Sequence, residues 1–276
     1  MDLWQYIVSG LVGGLAQIVD GTLGMGFGLI TSSSMMAIGF APAIAVATIN
    51  IAKIVTGLAS GLSHWRFGNV RRDWLIPLLA GGLIGGILGG LLITSIDPAK
   101  TRTWVGIILL LMGGLVIWRT IHWKVYCTIK DKGKECVGCP ALSNGNALSP
   151  GNKNHTRLKL GGIGFLAAFI NGLSGAYGPM ATTGVLLLEK GEPRHAIGTV
   201  NMAEFFVALG VSITILTKIS LSQFPFGLAI ALSLGGIFVA PIAAYICRII
   251  TPRLLAFMVG ISLTGMNIIA IFLLVH

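Results

Sequence analysis

Long apolar segments separated by short polar loops dominate the sequence. Residues 74–95, 104–118, 224–246 and 254–275 contain almost no charged side chain. Each of these stretches approaches the roughly 20 residues that a membrane-spanning helix needs. Because a helix satisfies its own backbone hydrogen bonds, segments of this kind predict helices that cross a lipid bilayer.

Two glycine-rich interruptions divide the apolar pattern, one near the start of the chain and one past its middle. Each follows an apolar arm, at residues 3–19 or 160–170, and precedes a shorter arm, at residues 27–38 or 180–188. Residues 27–38 would form a helix of about 18 Å, whereas the hydrocarbon core is about 30 Å thick. We therefore expect a re-entrant or broken hairpin whose tip lies near the middle of the membrane.

The two hairpins belong to an internal repeat with a constant offset of 151 residues. Pro42 and Asn50 recur in register as Pro193 and Asn201, and matched prolines and asparagines are stronger evidence of duplication than matched glycines. Three long helices are predicted after each hairpin. They cover residues 42–63, 74–95 and 101–119 in the first half, and residues 194–216, 224–246 and 252–275 in the second.

The predicted fold is an all-α polytopic membrane protein with two inverted repeats, each a re-entrant or broken helical hairpin plus three transmembrane helices. The first repeat covers residues 1–121 and the second covers residues 160–276, while a hydrophilic linker at 122–159 joins them. Three crossings after a hairpin are an odd number, so the second repeat is turned over relative to the first. Secondary transporters commonly have this architecture, with the substrate site between the repeats.

Composition and charge support the membrane interpretation and suggest an orientation. Charged residues make up 10% of the chain, against about 25% in a soluble domain. The net charge of +10 is spread over short loops, so no nucleic-acid partner is expected. Basic residues crowd 66–72, the linker and 248–253. The positive-inside rule then predicts a multi-pass protein of the cell inner membrane, with these segments and the linker in the cytoplasm.

Glycine motifs at the two interruptions, with the segments that open the next long helices, form the most characteristic local pattern. These motifs are Gly24-x-Gly26-x-Gly28, Ala45-Val46-Ala47-Thr48, Gly175-Ala176-Tyr177-Gly178-Pro179 and Ala196-Ile197-Gly198-Thr199. The pattern resembles the TauE/SafE family of sulfite and organosulfonate exporters over nearly the whole chain apart from the linker. That resemblance implies a membrane transporter whose substrates are small sulfur-containing anions.

Helix ends and polar side chains near the interruptions are candidate substrate sites. A helix N-terminus bears about half a positive charge and free N–H donors, so two such ends meeting in the membrane would cradle an anion. The predicted substrate-binding residues are Gly24, Gly26, Gly28, Thr31, Thr48, Asn50, Lys53, Gly175, Gly178, Thr182, Thr199 and Asn201. Alternatively, the hydroxyl groups bond within their own helices and the asparagines bond between helices.

Asp20, Lys53 and Glu204 are ionisable residues in apolar sequence. Such residues are costly in a membrane and are functional hypotheses by default. Lys53 is predicted to attract the anion, and Glu204 or Asp20 to bind a coupling proton. The alternative is a structural Lys53–Glu204 ion pair, with Asp20 capping a helix.

The linker contains Cys127 and a CxxC motif formed by Cys136 and Cys139. These cysteines are weak candidates for a metal or redox site, because their spacing matches no established zinc motif. Ordinary reduced cysteines are the alternative, and no cofactor is expected. The sequence has no HExxH, GxSxG or Walker motif, so the protein is predicted not to be an enzyme.

These observations favour a secondary transporter that exports a small sulfur-containing anion, such as sulfite or an organosulfonate, by alternating access. A membrane redox or metal-handling protein that uses the linker is one alternative, and a passive anion channel is another. The expected partners are the small anionic substrate and the lipid bilayer. The sequence leaves open the exact anion, the direction of transport, proton coupling and whether the chain forms a homodimer.

Overall fold

The structure is a computed structural model that describes residues 3–122, 153–188, 193–220, 222 and 224–247. Within these ranges the chain forms helices joined by short connections, with no strand, which confirms the all-α prediction. The α-helices are α1 (Leu3–Leu23), α2 (Phe27–Ala37), α3 (Pro42–Arg66), α4 (Arg72–Ser95), α5 (Pro98–His122), α6 (Lys153–Ser174), α7 (Gly178–Leu188), α8 (Pro193–Leu216) and α9 (Phe226–Ile246).

In the described part of the chain, apolar and polar side chains are distributed as in a membrane protein. Six of its helices, α1, α3, α4, α5, α8 and α9, are long and apolar enough to cross a membrane. Ile76 and Phe238 lie on the outer surface, whereas Asn50 and Lys53 are buried. Water-soluble proteins show the opposite arrangement. The prediction of a polytopic membrane protein is therefore confirmed.

Glycines bring two pairs of long helices into backbone contact. A Cβ atom added to Gly81 of α4 would overlap the carbonyl group of Gly161 in α6. Likewise, a Cβ atom added to Gly235 of α9 would overlap the carbonyl group of Gly10 in α1. Small residues at such interfaces allow membrane helices to approach closely. The first arm of each hairpin thus packs on the second long helix of the other half.

Helices α3 and α8, which the repeat makes equivalent, pack against each other at the centre of the protein. Gly57 of α3 contacts Phe205 of α8, and Gly61, one turn later in α3, contacts Met202, one turn earlier in α8. The two helices are therefore antiparallel. An inverted repeat requires this relation, because its two-fold axis is perpendicular to the helices.

Helix bounds reproduce the offset that the sequence predicts. Helix α2 spans Phe27–Ala37 and α7 spans Gly178–Leu188, a shift of 151 residues at both ends. Helices α3 and α8 begin at Pro42 and Pro193, where proline fits the first turn because it needs no N–H partner.

The first arms of the hairpins are longer than predicted. Helix α1 continues past residue 19 to Leu23, and α6 begins at Lys153 and ends at Ser174. At 21 residues, α1 is long enough to cross a membrane by itself, so the depth of the hairpin tip stays a prediction. The expected helix at 252–275, and the linker cysteines Cys127, Cys136 and Cys139, lie outside the described residues.

Candidate functional site

The two helix breaks face each other and touch through their backbones. Gly24 and Gly175 have φ angles of 67° and 77°, a left-handed conformation that favours glycine. A Cβ atom added to Gly178 would come within 2.7 Å of Met25 Cα, and one added to Gly28 would overlap the Gly175 carbonyl. The structure thus brings together predicted glycines from both halves, because each break leaves room for the backbone of the other.

Lys53, near the middle of α3, is buried where the two breaks meet. Its ammonium group donates to Glu204 Oε1 at 2.5 Å, to Gly175 O at 2.7 Å and to Asn171 Oδ1 at 3.2 Å. Since an ammonium group has three N–H donors, its hydrogen bonding is complete in this conformation. The ion pair considered as an alternative is therefore present, and an anion can reach Lys53 only by replacing one of its acceptors.

Asp20 adds a second carboxyl group to this site. Its Oδ1 accepts a hydrogen bond from the backbone N–H of Phe27 over 3.3 Å, and Phe27 is the first residue of α2. A carboxylate is favourable at this position because the N-terminus of a helix is electropositive. Asp20 also lies within electrostatic range of Glu204 and Lys53. We refer to Asp20, Lys53 and Glu204 as the charged cluster.

Buried asparagines extend the charged cluster between helices. Asn171 Nδ2 donates to Asn50 Oδ1 at 2.8 Å, and Asn50 Nδ2 donates to Val46 O at 2.8 Å. In the second half, Asn201 Nδ2 donates to Ile197 O at 3.0 Å. Asn50 and Asn201 therefore make the same bond to the preceding turn. Both also bond between helices, as the alternative interpretation proposed, since Asn201 Oδ1 accepts from the Ser60 hydroxyl of α3 at 2.9 Å.

The predicted hydroxyl donors divide into two kinds. Thr31 and Thr48 donate to carbonyl groups in the preceding turns of their own helices, as the alternative interpretation proposed. Thr182 instead donates to Gly24 O at 2.5 Å and so links the two breaks. Gly26 also has a packing role, since an added Cβ atom would meet a side chain of α1 within its own hairpin.

A second buried polar group lies at the end of α3, away from Lys53. His64 Nε2 donates to Gly21 O at 3.1 Å, and His64 Nδ1 accepts from Asn69 Nδ2 at 3.1 Å. A neutral ring with its proton on Nε2 satisfies both contacts. The predicted site residue Thr199 belongs here, since its hydroxyl accepts a hydrogen bond from the backbone N–H of Arg71 at 2.9 Å.

A family model described as "Sulfite exporter TauE/SafE" matches residues 9–269 of the chain. The chain belongs to the TauE/SafE family. It is 33% identical over 258 residues to "Probable membrane transporter protein YtnM" of Bacillus subtilis (strain 168), an alignment covering 93% of this chain and 79% of the relative. No solved structure gives a significant match. This TauE/SafE chain is therefore a membrane transporter and not an enzyme.

Asn171 and Tyr177 are buried beside the charged cluster of this TauE/SafE protein, and sequence reasoning did not select them. Asn171 is the repeat equivalent of Asp20, so the offset of 151 residues would have identified it. Tyr177 lies within the second glycine motif, and its hydroxyl has no hydrogen-bond partner among the described residues. The motif was visible in the sequence, but the missing partner is a property of the folded chain.

The group at the end of α3 leads to a stability prediction. We expect His64→Phe to destabilise the protein by about 2 kcal/mol, because the Gly21 carbonyl and the Asn69 amide lose a buried partner. Thermal unfolding in detergent measures this effect. Ser63→Ala is the matched control, since the Ser63 hydroxyl donates to Ala59 O in the preceding turn of its own helix. Equal melting of the His64→Phe variant and the control would contradict the prediction.

Proposed function

We propose that this TauE/SafE protein is a secondary transporter that exports a small sulfur-containing anion, such as sulfite or an organosulfonate, together with a proton. The observation that carries the proposal is the charged cluster, buried where two broken helices meet. The description of the matching family supports the substrate class. The antiparallel contact of α3 with α8 supports an inverted repeat, the architecture that commonly underlies alternating access.

Charge balance in the cluster supports proton coupling. With both carboxyl groups ionised, the cluster has two negative charges and one positive charge, and each of its residues is at most 3% exposed. An uncompensated buried charge is strongly unfavourable. One proton shared by Asp20 and Glu204 makes the empty site neutral, so the site holds a proton when no substrate is bound.

Substrate binding then requires a second proton. A monovalent anion reaches the Lys53 ammonium by replacing Glu204 Oε1, which leaves Glu204 as an unpaired buried carboxylate. Taking up a proton neutralises Glu204, and the loaded site is again neutral. One proton therefore moves with each monovalent anion, and the gradients of both set the direction of net transport.

The distribution of basic residues supports an orientation in the inner membrane. Helices α4 and α6 run parallel, because their contacts advance from Gly81 and Gly161 to Gly89 and Phe169. Arg72 at the start of α4 therefore lies at the same end of the protein as the basic first turns of α6. The positive-inside rule assigns this end, and the linker that precedes α6, to the cytoplasm.

Glu204→Gln is the variant that tests the coupling. In the empty Glu204→Gln site the Lys53 ammonium has lost the carboxylate that contacts it, whereas a bound anion takes the place of that carboxylate. We therefore expect the variant in liposomes to retain exchange of labelled for unlabelled sulfite and to lose about 90% or more of net sulfite efflux, since one unpaired buried charge exceeds 1.4 kcal/mol.

Asp73→Asn is the control for this experiment, because Asp73 pairs with Arg71 at the partly exposed start of α4. The control should show wild-type exchange and wild-type net efflux. Net efflux that persists unchanged in Glu204→Gln would argue against proton coupling at this residue. Sulfite flux that does not saturate with sulfite concentration and does not depend on pH would indicate a passive anion channel instead of a carrier.

A further inference from the structure

The two short helices differ in what occupies their N-termini. At the start of α2, the carboxylate of Asp20 accepts the backbone N–H of Phe27. The Asp20 carboxyl group thus supplies an internal oxygen acceptor to this helix end, where partial negative charge is favourable. A substrate anion would have to displace Asp20 in order to bind there.

The equivalent place in the second half has no such carboxylate. Asn171 replaces Asp20 by the repeat offset, and both ends of its amide are engaged elsewhere. Its Oδ1 accepts from Lys53 and its Nδ2 donates to Asn50. The start of α7 is therefore not capped by the residue that corresponds to Asp20.

Backbone donors are available at the start of α7. The first turn is closed by the bond from Ala181 N to Tyr177 O at 3.2 Å. The N–H groups of Gly178 and Met180 come before this bond and have no acceptor within the helix, while Pro179 has no N–H group. Two backbone donors with no hydrogen-bond partner among the described residues therefore remain at an electropositive helix end.

Tyr177 provides an independent sign of a ligand at this helix end. It immediately precedes α7, its side chain is fully buried, and its hydroxyl has no partner among the described residues. The hydroxyl also lies within electrostatic range of Glu204, the residue that pairs with Lys53. An unsatisfied buried hydroxyl costs about 1–3 kcal/mol of stability. A bound acceptor that pairs with the Tyr177 hydroxyl would remove this cost.

A second hydroxyl on α7 shares this property. Thr183 is buried and its Oγ1 has no partner in the described part of the chain. Its repeat equivalent, Ser32, is satisfied by the carbonyl group of Ser174 in the opposite break. At this pair of equivalent positions in the two short helices, the unsatisfied hydroxyl thus belongs to the second half, where the internal carboxylate is absent.

We infer that the substrate anion binds at the N-terminus of α7, where the Tyr177 hydroxyl and the Lys53 ammonium donate to it, while Asp20 occupies the equivalent end of α2. Lys53 already bonds to the Gly175 carbonyl, which places its charge beside this break. A sulfite or sulfonate group has three oxygen acceptors and can accept from several donors at once. This inference rests on the proposed function and names its subsite.

Tyr177→Phe tests the subsite with a minimal change. The variant removes one donor and leaves the ring packing intact, so we expect the KM for sulfite efflux from liposomes to rise about tenfold, the equivalent of one hydrogen bond. The maximal rate should stay within about twofold, and the melting temperature should not fall, because the lost hydroxyl had no partner. Tyr245→Phe is the control, since Tyr245 is half exposed and packs on Phe67.

Asn171→Asp supplies a second and opposite test. It places a carboxylate where Asp20 lies in the other repeat, and we expect it to abolish sulfite-dependent thermal stabilisation of the purified protein. The subsite alone would be overturned by three results together. The wild-type protein would transport sulfite, Tyr177→Phe would have an unchanged KM, and Asn171→Asp would still bind sulfite. A wild-type protein that moves no sulfur oxyanion would overturn the proposed function, and the subsite with it.

Discussion

Lys53→Met is expected to reduce sulfite efflux by about 100-fold, which corresponds to about 3 kcal/mol of lost interaction with the anion. Methionine keeps much of the aliphatic volume but removes the positive charge at the meeting point of the two breaks. Glu204 and the Gly175 carbonyl lose their partner, so we also expect a loss of stability of about 3–5 kcal/mol. Efflux from liposomes and thermal unfolding in detergent measure the two effects.

The double variant Lys53→Met with Glu204→Gln separates transport from folding. Removing both charges leaves no unpaired ion, so much of the lost stability should return, as when a buried ion pair is replaced by neutral groups. Transport should stay absent, because no positive charge faces the anion. Lys100→Met, at an exposed position in α5, is the control and should behave as wild type. Normal efflux in the double variant would show that Lys53 has only a structural role.

Much of the fold could be predicted because the repeat and the hydrophobic pattern are visible in the order of residues alone. Prolines mark the start of both α3 and α8, and glycines mark both breaks, so these bounds agree closely with the structure. The first arms are longer than the predicted 3–19 and 160–170, because both helices continue into the polar residues beside these apolar segments. In the structure Asp20 lies inside α1, and its carboxyl group accepts a hydrogen bond from the backbone N–H of Phe27.

The candidate site was predictable where the repeat itself pairs the residues. Lys53 and Glu204 are separated by the repeat offset, so packing α3 against α8 brings their side chains together. Hydroxyl groups are a different case, since Thr48 and Thr182 look alike in the sequence but bond within a helix and between breaks, respectively. The role of a hydroxyl depends on which acceptor the tertiary packing supplies, and the sequence pattern does not encode it.

Contact between the two breaks also explains why Tyr177 was missed. An aromatic residue in an apolar segment indicates packing, and nothing local shows whether its hydroxyl has a partner. Only the folded arrangement shows that the Asn171 amide bonds to Lys53 and Asn50 and does not cap the start of α7. The functional difference that we propose between the two halves therefore rests on Asn171 standing where the first half has Asp20, together with the tertiary contacts of each residue.

Gly28→Ala is expected to have the largest effect on stability of any single methyl group added at the breaks. The new Cβ atom would overlap the backbone carbonyl of Gly175 and approach Lys53 Nζ to 2.8 Å. Neither atom can move away cheaply, because the carbonyl belongs to a break that packs on the opposite hairpin. We expect a loss of about 3 kcal/mol, the upper end for overpacking, together with loss of sulfite efflux.

Gly162→Ala is the control for this change, because an added Cβ atom at Gly162 in α6 meets no atom within 4 Å. Alanine is the better helix former, so the control should keep or slightly raise the melting temperature. A Gly28→Ala protein that unfolds like Gly162→Ala would show that the two breaks do not touch in the membrane. The Gly175 carbonyl would then be no ligand of Lys53, and the anion would have to be held by groups other than the paired breaks.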